Sequence, residues 1–110
     1  MSTVATRWHG LSGTNKDIIT YLYNMEQAGS FNKIIAEAIQ SFWDCDSMTD
    51  YGVATLQYKD VARIIEKLHI LFEHSGVKPG DKIALCGKNQ SHWGAAFFAI
   101  TTYGAVAVPI

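Results

Sequence analysis

Gly76-Val77-Lys78-Pro79-Gly80-Asp81-Lys82-Ile83-Ala84-Leu85-Cys86-Gly87-Lys88-Asn89 leads through Ser91-His92-Trp93 to Tyr103-Gly104-Ala105-Val106-Ala107-Val108-Pro109-Ile110, and this stretch decides the fold. Gly76 follows an apolar-periodic segment, where a residue without Cβ takes the left-handed conformation that ends a helix. Pro79-Gly80 supplies the fixed φ and then the positive φ of a type II turn. A strand is therefore expected at once, and Lys82 to Gly87 is a short apolar run bounded by turn residues. Ala105 to Ile110 is a second. Runs without alternation suit parallel strands covered on both faces. Between them lie about fifteen residues opening on Ser91 and closing on Gly104, the length of a right-handed strand-helix-strand crossover.

With histidine neutral, no charged residue occurs from Asn89 to Ile110. The intervening helix carries Trp93, Ala95, Ala96, Phe97, Phe98, Ala99 and Ile100, apolar on nearly every side, and such a helix is buried rather than amphipathic. A membrane span needs about 20 predominantly apolar residues. Gly, two Thr, Tyr, Gly and Pro interrupt this run, so the expected setting is the inside of a larger α/β domain.

Working outward, a chain of 110 residues is one domain or a piece of one, able to bury roughly 65% of its unfolded surface. A formal net charge of −1 gives no electrostatic footprint for nucleic acid or anionic lipid. Met1 to Gly13 has one Arg and no apolar core, unlike a secretory signal, and cytoplasmic residence is expected. Cys45 and Cys86 have no Cys or His partner at zinc-like spacing, and two reduced, partly buried thiols are expected.

Residues 1–14 read as a loosely held arm and residues 15–110 as the domain. A short helix from an Asn15 N-cap to about Gln27 places Ile18, Ile19, Leu22 and Met25 on one face. Ser30 caps a second helix with Phe31, Ile34, Ile35, Ala38, Ile39 and Phe42 on a stripe of core width. Met48 to Tyr51 and Ala54 to Tyr58 can pair as a hairpin around Gly52. The longest helix, Lys59 to Ser75, turns Val61, Ile64, Ile65, Leu68, Leu71 and Phe72 inward.

The chemistry-bearing patterns are few. Gly10-Leu11-Ser12-Gly13-Thr14-Asn15-Lys16 has the composition of a phosphate loop but not the spacing, which requires four residues between glycines and Lys directly after the second; no apolar strand precedes it. His9, His69, His74 and His92 fall at no metal-ligand spacing and read as structural. His92, in the first turn of the uncharged helix, lies near the strand ends where open sheets bind ligands, yet no Ser, Cys or carboxylate is placed by sequence to act with it. Asn89 and Ser91 read as caps of that helix, with Asn89 alternatively lining a cleft. Trp93, Phe97, Phe98 and Tyr103 read as core. These patterns single out no catalytic, cofactor-binding or metal-binding residue.

Taken together, Thr55-Leu56-Gln57-Tyr58-Lys59-Asp60-Val61, then Gly76 to Ala84, Asn89, Trp93, Ala99 and Tyr103-Gly104-Ala105-Val106-Ala107-Val108-Pro109 resemble the N-terminal region of AMP-forming acyl-CoA synthetases, members of the adenylate-forming ligases. The resemblance runs from about Phe31 to Ile110, with several motifs in order at matching gaps. Phe31-Asn32-Lys33 and Phe42-Trp43-Asp44 are most similar to the long-chain fatty-acid CoA ligases. Many members carry an acidic residue where His92 stands, so a favourable charge at that helix N-terminus is missing from the sequence here.

The resemblance implies an α/β fold: the N-terminal piece of the large ligase domain, with parallel strands, right-handed helical crossovers and additional N-terminal helices. It also implies an ATP-dependent, magnesium-assisted ligase in which a fatty-acid carboxylate is adenylated and coenzyme A thiol then displaces AMP. The family's phosphate loop, aromatic-Gly-x-Thr-Glu motif, ribose-holding Asp and catalytic Lys lie downstream of the matching region, so this chain is expected to be inactive alone and to bind no cofactor. Gly10 to Lys16 precedes the Ala-Val-x-Val-Pro strand and is not the family's loop. The alternative is a stand-alone, non-enzymatic interaction or oligomerisation module. Uncovered apolar faces at the C-terminal strand predict self-association.

Overall fold

The computed structural model of the chain describes residues 15–24, 29–88 and 90–110. In chain order the elements are α1 (Asn15–Tyr23), α2 (Gly29–Ser41), β1 (Asp46–Asp50), β2 (Ala54–Gln57), α3 (Tyr58–His74), β3 (Lys82–Leu85), α4 (Ser91–Tyr103) and β4 (Val106–Pro109). The result is a mixed α/β fold with one antiparallel pair, β1–β2, and one parallel pair, β3–β4. The expected arm at residues 1–14, with residues 10–14 of the look-alike glycine loop, and Met25 and Asn89 lie outside the described residues, while Asn15 and Lys16 of that loop open α1.

The deciding stretch folds as its residues dictate. Gly76 has φ 79° and Gly104 φ 92°, each just beyond a helix end. At the turn, the Asp81 N–H donates to the Lys78 carbonyl at 3.0 Å and Gly80 has φ 90°, while the Asp81 carboxylate accepts from the Lys78 N–H at 2.9 Å. β3 and β4 pair in parallel from Lys82↔Val106 to Leu85↔Pro109, joined through α4. The strands are shorter than the apolar runs: β3 stops at Leu85, before Gly87.

The hairpin forms around Gly52, φ 71°, with β1 beginning earlier than expected, at Asp46. The register slips between Asp46 and Met48, so Ser47 sits in a bulge, and such an extra residue bends the strand. At the start of α3 the Asp60 carboxylate accepts from the Gln57 N–H at 2.9 Å, satisfying an amide the helix leaves unpaired. α1 packs on α2, and α3 on α4, around a core that includes Leu22, Ala36, Ile39, Ile65, Ala95 and Ala99.

Six expectations are corrected. On α2 the buried line is Asn32, Ala36 and Ile39, whereas Phe31, Ile34 and Phe42 are 38%, 61% and 50% exposed. The helix packs mainly on α1, and from its buried line the Asn32 side chain donates to the Thr102 carbonyl of α4 at 2.9 Å. On α3, Leu71 is exposed while Ala62 and His69 are buried. β3 and β4 are not covered on both faces: Ile83 and Leu85 are half-buried, and Val106, Val108 and Ile110 are exposed. In α4, Ala95, Ala99, Ile100 and Tyr103 are buried, but Trp93, Phe97 and Phe98 only partly, so one side lacks a covering layer. Asn15 lies inside α1 rather than before it, and both cysteines are exposed rather than partly buried. Among the described residues no helix is long and apolar enough to cross a membrane.

Candidate functional site

In an open α/β sheet, ligands collect beyond the carboxyl ends of the strands. Here that place is the N-terminus of α4, which follows β3. A helix N-terminus presents unpaired N–H groups and a partial positive charge, and the preceding residue, Gln90, gives no side-chain cap. The partner comes from the hairpin. Asp50, at the end of β1, accepts the Ser91 N–H at 2.7 Å on Oδ1 and the Ser91 hydroxyl at 2.7 Å on Oδ2. These hydrogen bonds, first from the Ser91 hydroxyl and then from its amide, hold the Asp50 carboxyl below the ordinary carboxylate range, with His92 adding a smaller electrostatic contribution.

Ser91 is thus not the cap but the residue that is capped. The favourable negative charge that the sequence lacks at position 92 arrives from Asp50, 41 positions before Ser91. Beside it lies a cleft of about 250 Å³ lined by Met48, Thr49, Asp50, Gln90 and Ser91. A carboxylate already holds the first amide of α4, so these residues do not fit a nucleotide triphosphate: its phosphates would meet a like charge where they need donors. His92 is exposed.

The second polar centre is interior. His69 is fully buried between α1, α3 and α4. Its Nε2 lies 2.8 Å from the Ala99 carbonyl oxygen, which can only accept, so Nε2 carries the proton and Nδ1 is left as an acceptor. Tyr21 Oη then donates to Nδ1 at 2.9 Å. Thr102 Oγ1, itself donating to the Phe98 carbonyl at 2.6 Å, turns its remaining lone pair to Nε2 at 3.0 Å. Burial pushes the imidazole down to about 4, only partly offset by the bond to Ala99, so the ring is neutral near pH 7. With every ring nitrogen engaged, this is a structural clamp, as the sequence reading supposed. Its burial was legible in the spacing Val61, Ile65, His69, Phe72, which lies on one face of α3.

His74 sits exposed in the last turn of α3, as expected, and His9 lies outside the described residues. Tyr103 is core, donating its hydroxyl to the Val77 carbonyl at 2.8 Å and so tying α4 to the segment before β3. No group of three or more His, Cys, Asp or Glu able to hold a metal occurs among the described residues. Asp50 had no sequence signal, because nothing local announces a cap delivered across the fold.

No curated protein and no solved structure matches this chain. The family model described as AMP-binding enzyme matches residues 36–110, which takes in the hairpin, α3 and the whole β3-α4-β4 unit. With more than half of its 110 residues inside that match, the chain belongs to the AMP-binding enzyme family.

Proposed function

We propose that this chain is the N-terminal part of an ATP-dependent, AMP-forming fatty acid-CoA ligase and is inactive alone. The observation that carries the reading is the run of family motifs from Thr55 to Pro109, falling on a strand, helix, turn and parallel β-α-β unit in their proper order. In the proposed reaction a fatty-acid carboxylate oxygen bonds to the α-phosphorus of ATP and pyrophosphate leaves. The thiol of coenzyme A then forms the thioester bond and AMP leaves. ATP, magnesium and coenzyme A are held by parts of the enzyme other than these residues, since the α4 N-terminus is already occupied by Asp50. The role of this segment is to supply two parallel strands and the helices that back them.

The coding frame read past the Ile110 codon tests this. The expected result is a long frame containing a Ser/Thr/Gly-rich loop that ends in Lys-Gly some tens of codons on. A stop codon directly after Ile110 would contradict it and favour a stand-alone interaction module. One observation supports that second reading: Val106, Val108 and Ile110 are 47%, 39% and 79% exposed on and beside a strand edge that no other described strand pairs. On either reading the isolated chain is expected to self-associate through this edge. Light scattering at micromolar concentration checks it, a clean monomer being the contrary result.

A further inference from the structure

The stripe on α2 that the sequence assigns to the core does not all reach it; part of it walls a cavity. The space has a volume of about 290 Å³. Ile35, Ala38 and Ile39 of α2 form one side, Met48 of β1 another, with Val61 of α3 and Phe98 of α4 completing it. Four elements therefore converge on it, which distinguishes it from a single bare helix face. Phe31 packs on Phe98 at 6.4 Å between ring centroids, and Phe42 on Tyr58 at 5.8 Å. The cavity thus runs along α2 from Phe98, beside the start of the helix, to Tyr58, beside its end. Ser47 and Tyr58 supply the polar groups among the described lining residues, and their backbones are neighbours, the Tyr58 N–H donating to the Cys45 carbonyl at 3.0 Å, two residues before Ser47.

We propose that this cavity is a binding site for an uncharged, apolar small molecule of roughly ten carbons bearing one hydroxyl or carbonyl group. Size and charge argue for that class. A dry cavity of about 150 Å³ lined by Leu, Ile and Phe accepts benzene, and this space is nearly twice as large, enough for two fused rings or a short alkyl chain. Among the described residues no lining side chain is charged, and Lys59, next to Tyr58, is held by Asp44 at 3.1 Å. A carboxylate or ammonium group entering here would lose its hydration without a partner. A hydroxyl would meet Ser47 and Tyr58. Apolar lining with a few placed polar groups is the usual make-up of small-molecule sites, and the Met48 thioether can adjust to the shape of the occupant. The site is independent of the ligase reading, whose substrate is a carboxylate.

The test is a titration of the 110-residue chain with 2-naphthol, followed by its fluorescence and by methyl chemical shifts. The expected result is saturable one-to-one binding that moves the methyl signals of Ala38, Met48 and Val61 and leaves those of Val106 and Val108 in place. The charged isostere 2-naphthoate is expected to bind at least about tenfold more weakly. Ala38→Phe, which fills the space, is expected to abolish binding. Absence of saturable binding overturns the proposal, as does equal affinity for the two isosteres. Shifts centred on Val106 and Val108 also overturn it, as does unchanged binding by a folded Ala38→Phe variant. Should Ala38→Phe fail to fold, the isostere ratio and the methyl map on the unmodified chain still decide.

Discussion

Two regions of this molecule are built from the same kinds of residue and end up in opposite states. Around His69 three helices close on one another, and Ile65, Ala95 and Ala99 are completely excluded from water. Some residues further on, β4 is as apolar as any of these helices, yet its valines face solvent. The difference is the number of layers. α3 has α1 and α4 against it, whereas the β3–β4 pair has α4 on one face and, among the described residues, nothing comparable on the other. Hydrophobicity states what should be covered, while the count of packed layers states what is. A buried run in the sequence is therefore a demand on the surroundings, and here only the closed joint meets it.

The comparison can be broken most strongly at the joint itself. Replacing His69 by Ala leaves the Tyr21 hydroxyl and the Ala99 carbonyl without this partner and opens a cavity, an expected loss of about 3 kcal/mol, read from the urea midpoint at constant slope. A loss below about 1 kcal/mol would show that the joint is not the stability centre.

The same residue gives the joint a pH dependence. His69 titrates at about 4 in the folded chain against an ordinary value of 6.5, so the unfolded state binds the extra proton. Stability is then full above about pH 6.5 and is lost as the pH falls towards 4, by about 3 kcal/mol across the window. Glu66, whose carboxyl burial raises, acts with the opposite sign near the bottom of that range, and Asp50, whose carboxyl is lowered, adds its loss at still lower pH. The difference between the wild-type chain and His69→Leu isolates the histidine: the variant's urea midpoint should lose this slope between pH 7 and 4.5.

A smaller effect sharpens the contact between hairpin and α4. A Cβ added at Gly94 would lie 2.7 Å from Met48 Sδ, the flexible end of that side chain. Gly94→Ala gains about 1 kcal/mol of helix propensity and loses a similar amount by pushing Met48 aside, so it should fall within about 1 kcal/mol of wild type. Adding it to Met48→Ala should stabilise that variant. No gain in this second background would mean that backbone, not the thioether, sets the close approach. Asp50→Ala, read in the same way, should lower the midpoint by fraying α4 at Ser91.

The smallest effect on stability is expected on the open side. Val108→Thr should change the midpoint by no more than about 0.5 kcal/mol, since the side chain is already exposed, while reducing self-association in light scattering. An equal loss at Val108 and His69 would erase the distinction between the two regions.

How much of this was legible follows from the range of each signal. Gly76, Pro79-Gly80 and Gly104 act through their own backbone, and the turn and helix ends fell where those residues stand. The parallel pair followed from two apolar runs separated by a helix length. The rotation of α2 did not, because a periodic stripe says that a face is apolar but not which neighbour will claim it; here α1 packs on a line through Asn32, Ala36 and Ile39, and Asn32 also reaches Thr102. Asp50 was illegible for the same reason: its role depends on where a hairpin lands. The candidate site was thus readable as a place, the end of β3, and unreadable as a set of contacts.

This chain belongs to the AMP-binding enzyme family, and we propose that it does not adenylate a carboxylate by itself. ATP-pyrophosphate exchange, measured on the isolated 110-residue chain with long-chain fatty acids and magnesium, tests it most directly. Exchange no faster than a protein-free blank is expected. Fatty-acid-dependent turnover well above the blank would contradict it, and would mean that the described residues hold a nucleotide despite the carboxylate of Asp50 on the α4 N-terminus.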